Sequence, residues 1–249
     1  MTSAETSAAQ APARTQAPAG AQAPEAPDRP GWTGQLWAGI AGTYAAILGH
    51  PFIQGLTSGN LPPEAFFYYI SQDDHYVHEF VRAVGLVGVK APTADAARVL
   101  TRHAANGLAA ESTLHQTLVT DLGGDPAALA QVQPGPTTQA YTSYVLASVF
   151  RGGFAEGLAA VLPCLWIYGE VGRHLHEQGS PNPVYQRWID TYAGPEYAGE
   201  VAEVLELADL AGRDLPAEQE ARARAHFETG ARYEWMFWDA AWRRESWPV

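Results

Sequence analysis

Cys164 is the only cysteine among 249 residues and lies in the most apolar stretch of the chain, residues 158–168. One thiol cannot close an intrachain disulfide or build a multi-cysteine metal centre, so it is either an inert core residue or a nucleophile. A buried free cysteine is more often inert. Carboxylates on unexpected helix faces shift that balance. Phe66, Tyr69, Ile70, Val77, Phe80, Val81 and Val84 form one core stripe, and Asp73 and Tyr76 fall on it; Asp74, His75, Glu79 and Arg82 lie off it. Glu111 sits among Leu100, Ala104, Leu108, Leu114 and Leu118, and Glu234 among Phe227, Ala231, Phe237, Trp238 and Ala241. Each acid alone reads best as a satisfied core group. Three inward carboxylates together with a buried thiol read better as a polar pocket.

Such a set supports definite chemistry. The thiol needs activation, because burial raises its pKa and only the thiolate is a strong nucleophile. A carboxylate, a tyrosine or the substrate itself can take the proton. A protonated acid can donate to a ring nitrogen and a carboxylate can accept from an exocyclic amine, while tyrosines stack on such a ring.

Helical periodicity supplies the elements that must hold these groups. It predicts helices near 32–48, 63–88, 93–122, 137–151, 154–178, 182–191, 195–212 and 215–245, separated by Gly, Pro and Asn stop signals. No stretch alternates as a strand does. The helix at 154–178 is apolar nearly all round, which marks a central helix, and Pro163 inside it should produce a kink beside Cys164. Tyr168 follows Cys164 by one turn on the same face. The expectation is one all-α domain over residues 31–249, preceded by a disordered Ala/Pro-rich tail over 1–30.

Composition narrows the class. Apolar residues make up 47% and charged residues 17%, and the net charge of −12 offers no basic stripe for nucleic acid. The tail has no secretory pattern, and the longest apolar run reads as too short to span a bilayer, so a soluble cytoplasmic protein is expected.

Several segments together resemble the TenA/thiaminase II family. They are His50-Pro51-Phe52, Phe67-Tyr68-Tyr69-Ile70-Ser71-Gln72-Asp73, Tyr141-Thr142-Ser143, Leu162-Pro163-Cys164-Leu165-Trp166-Ile167-Tyr168-Gly169-Glu170-Val171-Gly172, Trp188-Ile189-Asp190-Thr191-Tyr192 and Tyr233-Glu234-Trp235-Met236-Phe237-Trp238. The resemblance implies a heme-oxygenase-like helical bundle, usually a homotetramer, with no cofactor and no metal. It implies hydrolysis of 4-amino-5-aminomethyl-2-methylpyrimidine to the 5-hydroxymethyl compound and ammonia in thiamin salvage, and in many relatives cleavage of thiamin. Cys164 then matches the nucleophile and Glu234 the acid/base. Asp73 matches the carboxylate that binds the aminopyrimidine edge, and Tyr76, Tyr141, Tyr168 and Tyr192 match pocket tyrosines. Leu165 and Gly169 depart from the family pattern, which bears on substrate preference, and Glu111 is expected to make a structural hydrogen bond.

Two other readings stand beside this one. Asp74 with His78, Glu111 with His115, and Glu170 with His174 are acid–histidine pairs four apart, the spacing a di-iron oxidase of the same fold would use. Such pairs are also common on solvated helix faces. Haem on His50, His75 or His115 ranks lower still. The third reading is a pyrimidine-binding or regulatory protein without turnover.

Overall fold

The computed structural model describes residues 29–249, so the expectation for the tail falls almost wholly outside the described residues. Arg29 stands within the stretch expected to be tail, yet it donates to Asp209 Oδ2 at 3.1 Å and to Thr33 Oγ1 at 2.9 Å. The described chain is helical, with no strand among the described residues: α1 Trp32–Leu48, α2 Pro51–Ser58, α3 Pro63–Val89, α4 Ala94–Asp121, α5 Pro136–Arg151, α6 Phe154–Gln178, α7 Pro183–Ala193, α8 Pro195–Gly212 and α9 Ala217–Arg243. A short 3₁₀ turn, Pro126–Gln131, joins α4 to α5.

The helix ends follow from local chemistry. Thr93 and Asn182 cap α4 and α7 by accepting from backbone N–H groups, and proline occupies the first turn of α2, α3, α5, α7 and α8, where a missing donor costs nothing. The eight-residue α2 escapes a periodicity reading because it is too short to show a repeat. The His50 imidazole caps it, with Nδ1 accepting from Phe52 N at 3.1 Å, and Gly59 ends it in the left-handed region at φ 72°. The chain's only lysine, Lys90 at the end of α3, donates to the carbonyls of Val149, Phe150 and Gly152, closing the C-terminal end of α5.

Helix α6 is the axis of the bundle. It runs unbroken through Pro163 and packs against α9, α7, α8, α5 and α3. It is long and apolar enough to cross a bilayer by length and composition, contrary to the expectation from its sequence, but most of its residues are buried among the other helices.

Two glycines let its neighbours approach closely. Gly230 of α9 faces Pro163, where an added Cβ would stand 2.7 Å from Cγ. Gly172 of α6 faces the backbone of α7, where a Cβ would stand 2.6 Å from the Tyr192 carbonyl carbon. Gly230 lies one turn before Glu234 and Pro163 lies beside Cys164, so the first contact sets how near the acid lies to the thiol.

Substituting Gly230→Ala should therefore destabilise the fold by about 1–3 kcal/mol through overpacking. Urea unfolding of that variant against the unsubstituted protein measures it, and an unchanged midpoint would show that α6 and α9 can part without loss.

Candidate active site

Helices α3, α4, α6, α7 and α8 enclose a cavity of about 190 Å³, small against the roughly 300–1,000 Å³ of drug-sized sites. Antiparallel packing of α3 and α4 gives it two unlike ends. One end carries Asp73, Glu111, Cys164, Tyr168 and Tyr192; the other is mainly apolar, with Val84, Leu100, Ala104, Val161 and Val204, and His103 and Glu200 also line it. Asp73 and Val84 are eleven residues apart, about 16 Å along α3 at a rise of 1.5 Å per residue. Val77, Phe80 and Val81, expected in the core stripe, are only half-buried because they form the cavity wall.

Cys164 is half-buried, and its exposed part borders this cavity. Burial pushes its thiol well above the usual range, the charges of Glu234 and Asp73 push the same way, and the Tyr76 hydroxyl pulls it back. At rest the sulfur is therefore a thiol, and a nucleophilic role requires its proton to leave as substrate binds.

The seven residues singled out from the sequence divide into two groups. Asp73, Cys164, Tyr168 and Tyr192 line the cavity, whereas Glu234, Tyr76 and Tyr141 form a layer behind it. In that layer Tyr141 donates to Glu234 Oε1 at 2.5 Å, and the Tyr76 and Tyr141 rings lie 4.8 Å apart. Glu234 is 1% exposed. Burial raises its pKa to about 8; the Tyr141 bond opposes that rise and the Asp73 charge adds to it. A carboxyl in that range can give or take a proton near neutral pH. The Tyr76 hydroxyl is buried beside Cys164 and Tyr141, and no hydrogen bond of strict geometry joins it to a partner among the described residues.

Asp73 is 5% exposed and sits in a network that sequence reasoning only partly foresaw. Its Oδ2 accepts from Tyr69, at 3.3 Å, and faces His115 Nε2 at 3.1 Å. Tyr69 in turn accepts from Trp188 Nε1 at 3.3 Å. His115 Nδ1 faces Asp74 Oδ1 at 3.3 Å, and Glu111 Oε2 lies 3.6 Å from Nε2. Asp74, off the core stripe as expected, is thus drawn into the site by the imidazole. Glu111 accepts from the Tyr192 hydroxyl at 3.1 Å on both oxygens, in line with the structural bond expected of it, and it also lines the cavity. Its pKa rises to about 7 through burial and the Asp73 charge, against the opposing pull of His115 and Tyr192. The central place of His115 was missed; a histidine four residues after an inward glutamate was the available signal.

Asp73, Glu111 and His115 present ligand-type atoms within 4.8 Å of one another and are the one such group of three among the described residues. Both nitrogens of His115 face carboxylates, an arrangement that suits a doubly protonated ring, and a ring in that state has no lone pair for a metal. The other acid–histidine pairs do not join this cluster as pairs, although Asp74 alone reaches His115. His78 bonds the Asp74 backbone carbonyl, and Glu170 accepts from Trp166 and Arg173.

Residues 37–244 match the model of the TENA/THI-4/PQQC family. A Bacillus subtilis protein named aminopyrimidine aminohydrolase is 35% identical over 198 residues, covering 80% of this chain and 84% of that protein. A Helicobacter pylori protein of the same name is 28% identical and covers 84% and 97%. Among solved structures, a TenA homologue from P. horikoshii superposes with a TM-score of 0.79 at 29% identity, covering 86% of this chain and 99% of that one. A heme oxygenase-like domain from Shewanella denitrificans, at 18% identity and a TM-score of 0.69, shares the fold.

The raised pKa of Glu234 links the site to stability. Its folded value, about 8, exceeds the 4.5 of an ordinary glutamic acid side chain, so its contribution is present in full below about 4.5 and is lost as the pH rises through 8. Glu111 acts in the same direction. Urea unfolding at pH 5 and pH 9 should show a stability gap that shrinks in Glu234→Gln; an unaltered gap would mean that Glu234 ionises without cost in its site.

Proposed function

The chain belongs to the TENA/THI-4/PQQC family, and from that premise we propose that it is an aminopyrimidine aminohydrolase of thiamin salvage with Cys164 as its nucleophile. Proteins named aminopyrimidine aminohydrolase at 28–35% identity over most of the chain support the reaction. The observation that carries the reading is the placing of the chain's only thiol on the wall of a small cavity, facing Asp73 and backed by Glu234.

In this reading 4-amino-5-aminomethyl-2-methylpyrimidine enters with its amino edge on Asp73 and its ring among Tyr168 and Tyr192. The thiol passes its proton to the side-chain amine of the substrate, and sulfur forms a bond to a ring carbon conjugated with the exocyclic methylene. Glu234 supplies a proton to the ring nitrogen. The electron pair then expels the side-chain nitrogen, which departs as ammonia once protonated. Water adds to the methylene and its proton goes to the departing sulfur as the carbon–sulfur bond breaks, the ring nitrogen returns its proton to Glu234, and the hydroxymethyl pyrimidine is released with thiol and acid restored. Substrate and water thus give alcohol and ammonia with no oxidant or reductant. Glu234 lies in the layer behind the cavity wall, so its proton transfer requires the ring to settle deeply enough beside Cys164 to reach the Glu234 carboxyl.

The apolar end supports a second substrate. Ammonia needs no such arm, whereas the thiazole half of thiamin would lie against Val84, Leu100, Ala104, Val161 and Val204, with His103 and Glu200 at the same end. A cytoplasmic homotetramer completes the proposal. The oligomer and the location rest on the resemblance to the family. The regulatory reading has a relative by name, a TenA family transcription regulator from Silicibacter at 31% identity with a TM-score of 0.75. A net charge of −12 gives it no electrostatic support as a DNA binder.

Ammonia release from the aminomethyl pyrimidine should fall by at least about 10³-fold in Cys164→Ser and by roughly 10²–10⁴-fold in Glu234→Gln, with circular dichroism unchanged. Full activity in the first variant would remove the nucleophile assignment, and a rate within a few-fold in the second would reduce Glu234 to packing.

Gly107 lines the cavity, and an added Cβ there meets no atom within 4 Å. Gly107→Leu should thus fill the apolar arm, cutting thiamin cleavage at least about tenfold while sparing ammonia release. Equal losses on both substrates would show that the arm does not hold the leaving group.

A further inference from the structure

His115 is 2% exposed, on α4, and carboxylates face both of its ring nitrogens. A neutral imidazole has one N–H and one lone pair, and would aim that lone pair at a carboxylate oxygen. The ring satisfies both neighbours only as an imidazolium. Asp73 and Asp74 reach it from α3, and Glu111 from its own helix, one turn earlier. Burial alone would lower its pKa, but the bonds to Asp73 and Asp74 and the charges of Asp73 and Glu111 win, raising it to about 10.

The consequence falls on Asp73. Its Oδ2 takes both protein donors, Tyr69 and His115, while no hydrogen bond to a protein donor among the described residues engages its Oδ1. Two donors on one oxygen fix the plane of the carboxylate and reserve the other oxygen for the cavity that Asp73 lines.

We propose that His115 is a positioning residue. As a cation clamped between Asp73 and Asp74, it aims Asp73 Oδ1 at the amino edge of the bound pyrimidine and so sets affinity for that edge. The inference rests on the substrate reading given above. His115 touches Asp73 and not the reacting atoms. Because Asp73 holds the amino edge alike in the ground and transition states, losing its aim weakens uniform binding.

The test joins steady-state kinetics of His115→Gln and Asp74→Asn to nitrogen-15 NMR of the His115 ring in the unsubstituted protein. His115→Gln should raise KM for the aminomethyl pyrimidine by about 10- to 100-fold with kcat within a few-fold. Asp74→Asn keeps an acceptor on Nδ1 but removes its charge, and should raise KM by a smaller factor. The ring should carry protons on both nitrogens at pH 8. A neutral single tautomer at that pH overturns the proposal, even if His115→Gln fails to fold. A His115→Gln enzyme with normal KM, or with kcat alone reduced, also overturns it. Failure of the unsubstituted protein to bind or turn over the pyrimidine would instead sink the substrate reading, since the NMR result needs no substrate.

Discussion

An ionised carboxylate cannot stand bare in an apolar interior, and this bundle places three of them, Asp73, Glu111 and Glu234, around one thiol. Much of what is unusual in the interior follows from that. Tyrosines approach each acid: Tyr69 on Asp73, Tyr192 on Glu111 and Tyr141 on Glu234. One cation, His115, is shared among Asp73, Asp74 and Glu111. Where partners are not enough, protonation takes over, and Glu111 and Glu234 titrate near neutral pH as a result. A pocket that holds its acids half-ready to exchange protons suits acid–base work, because a group titrating near the working pH can move protons in both directions.

The helices serve this arrangement through close approach. α6 carries Cys164 and Tyr168, α9 carries Glu234 and α7 carries Tyr192. The glycine contacts Gly230–Pro163 and Gly172–Tyr192 draw α9 and α7 against α6. Pro163, which reads in sequence as a flaw in the helix, thus doubles as the surface on which α9 rests. The tight packing on one side of α6 contrasts with the small residues Ala104, Gly107 and Ala110 on α4, which leave the cavity open on the other.

The helical architecture was legible because long amphipathic repeats state their faces plainly, and the inward acids were legible as interruptions of those repeats. Asp73, Glu111 and Glu234 all turn inward as the pattern implies. The sequence could not separate cavity wall from core, since Val77, Phe80 and Val81 are apolar in either setting. Nor could it divide the site into a layer facing the cavity and a layer behind it, because that depends on how α5 and α9 meet. α2 was too short to repeat. His115 was visible only as half of an acid–histidine pair, and its partners Asp73 and Asp74 come from another helix, 42 and 41 residues away.

Because Cys164 is the only thiol in the chain, one alkylation reaction reports on it alone. The decisive measurement is ammonia release from the aminomethyl pyrimidine as iodoacetamide labelling proceeds, with intact mass giving the label count. The account predicts that activity falls in proportion to labelling, reaches zero at one group per chain, and that saturating pyrimidine slows the labelling. Fully labelled protein that still releases ammonia at the original rate would contradict it.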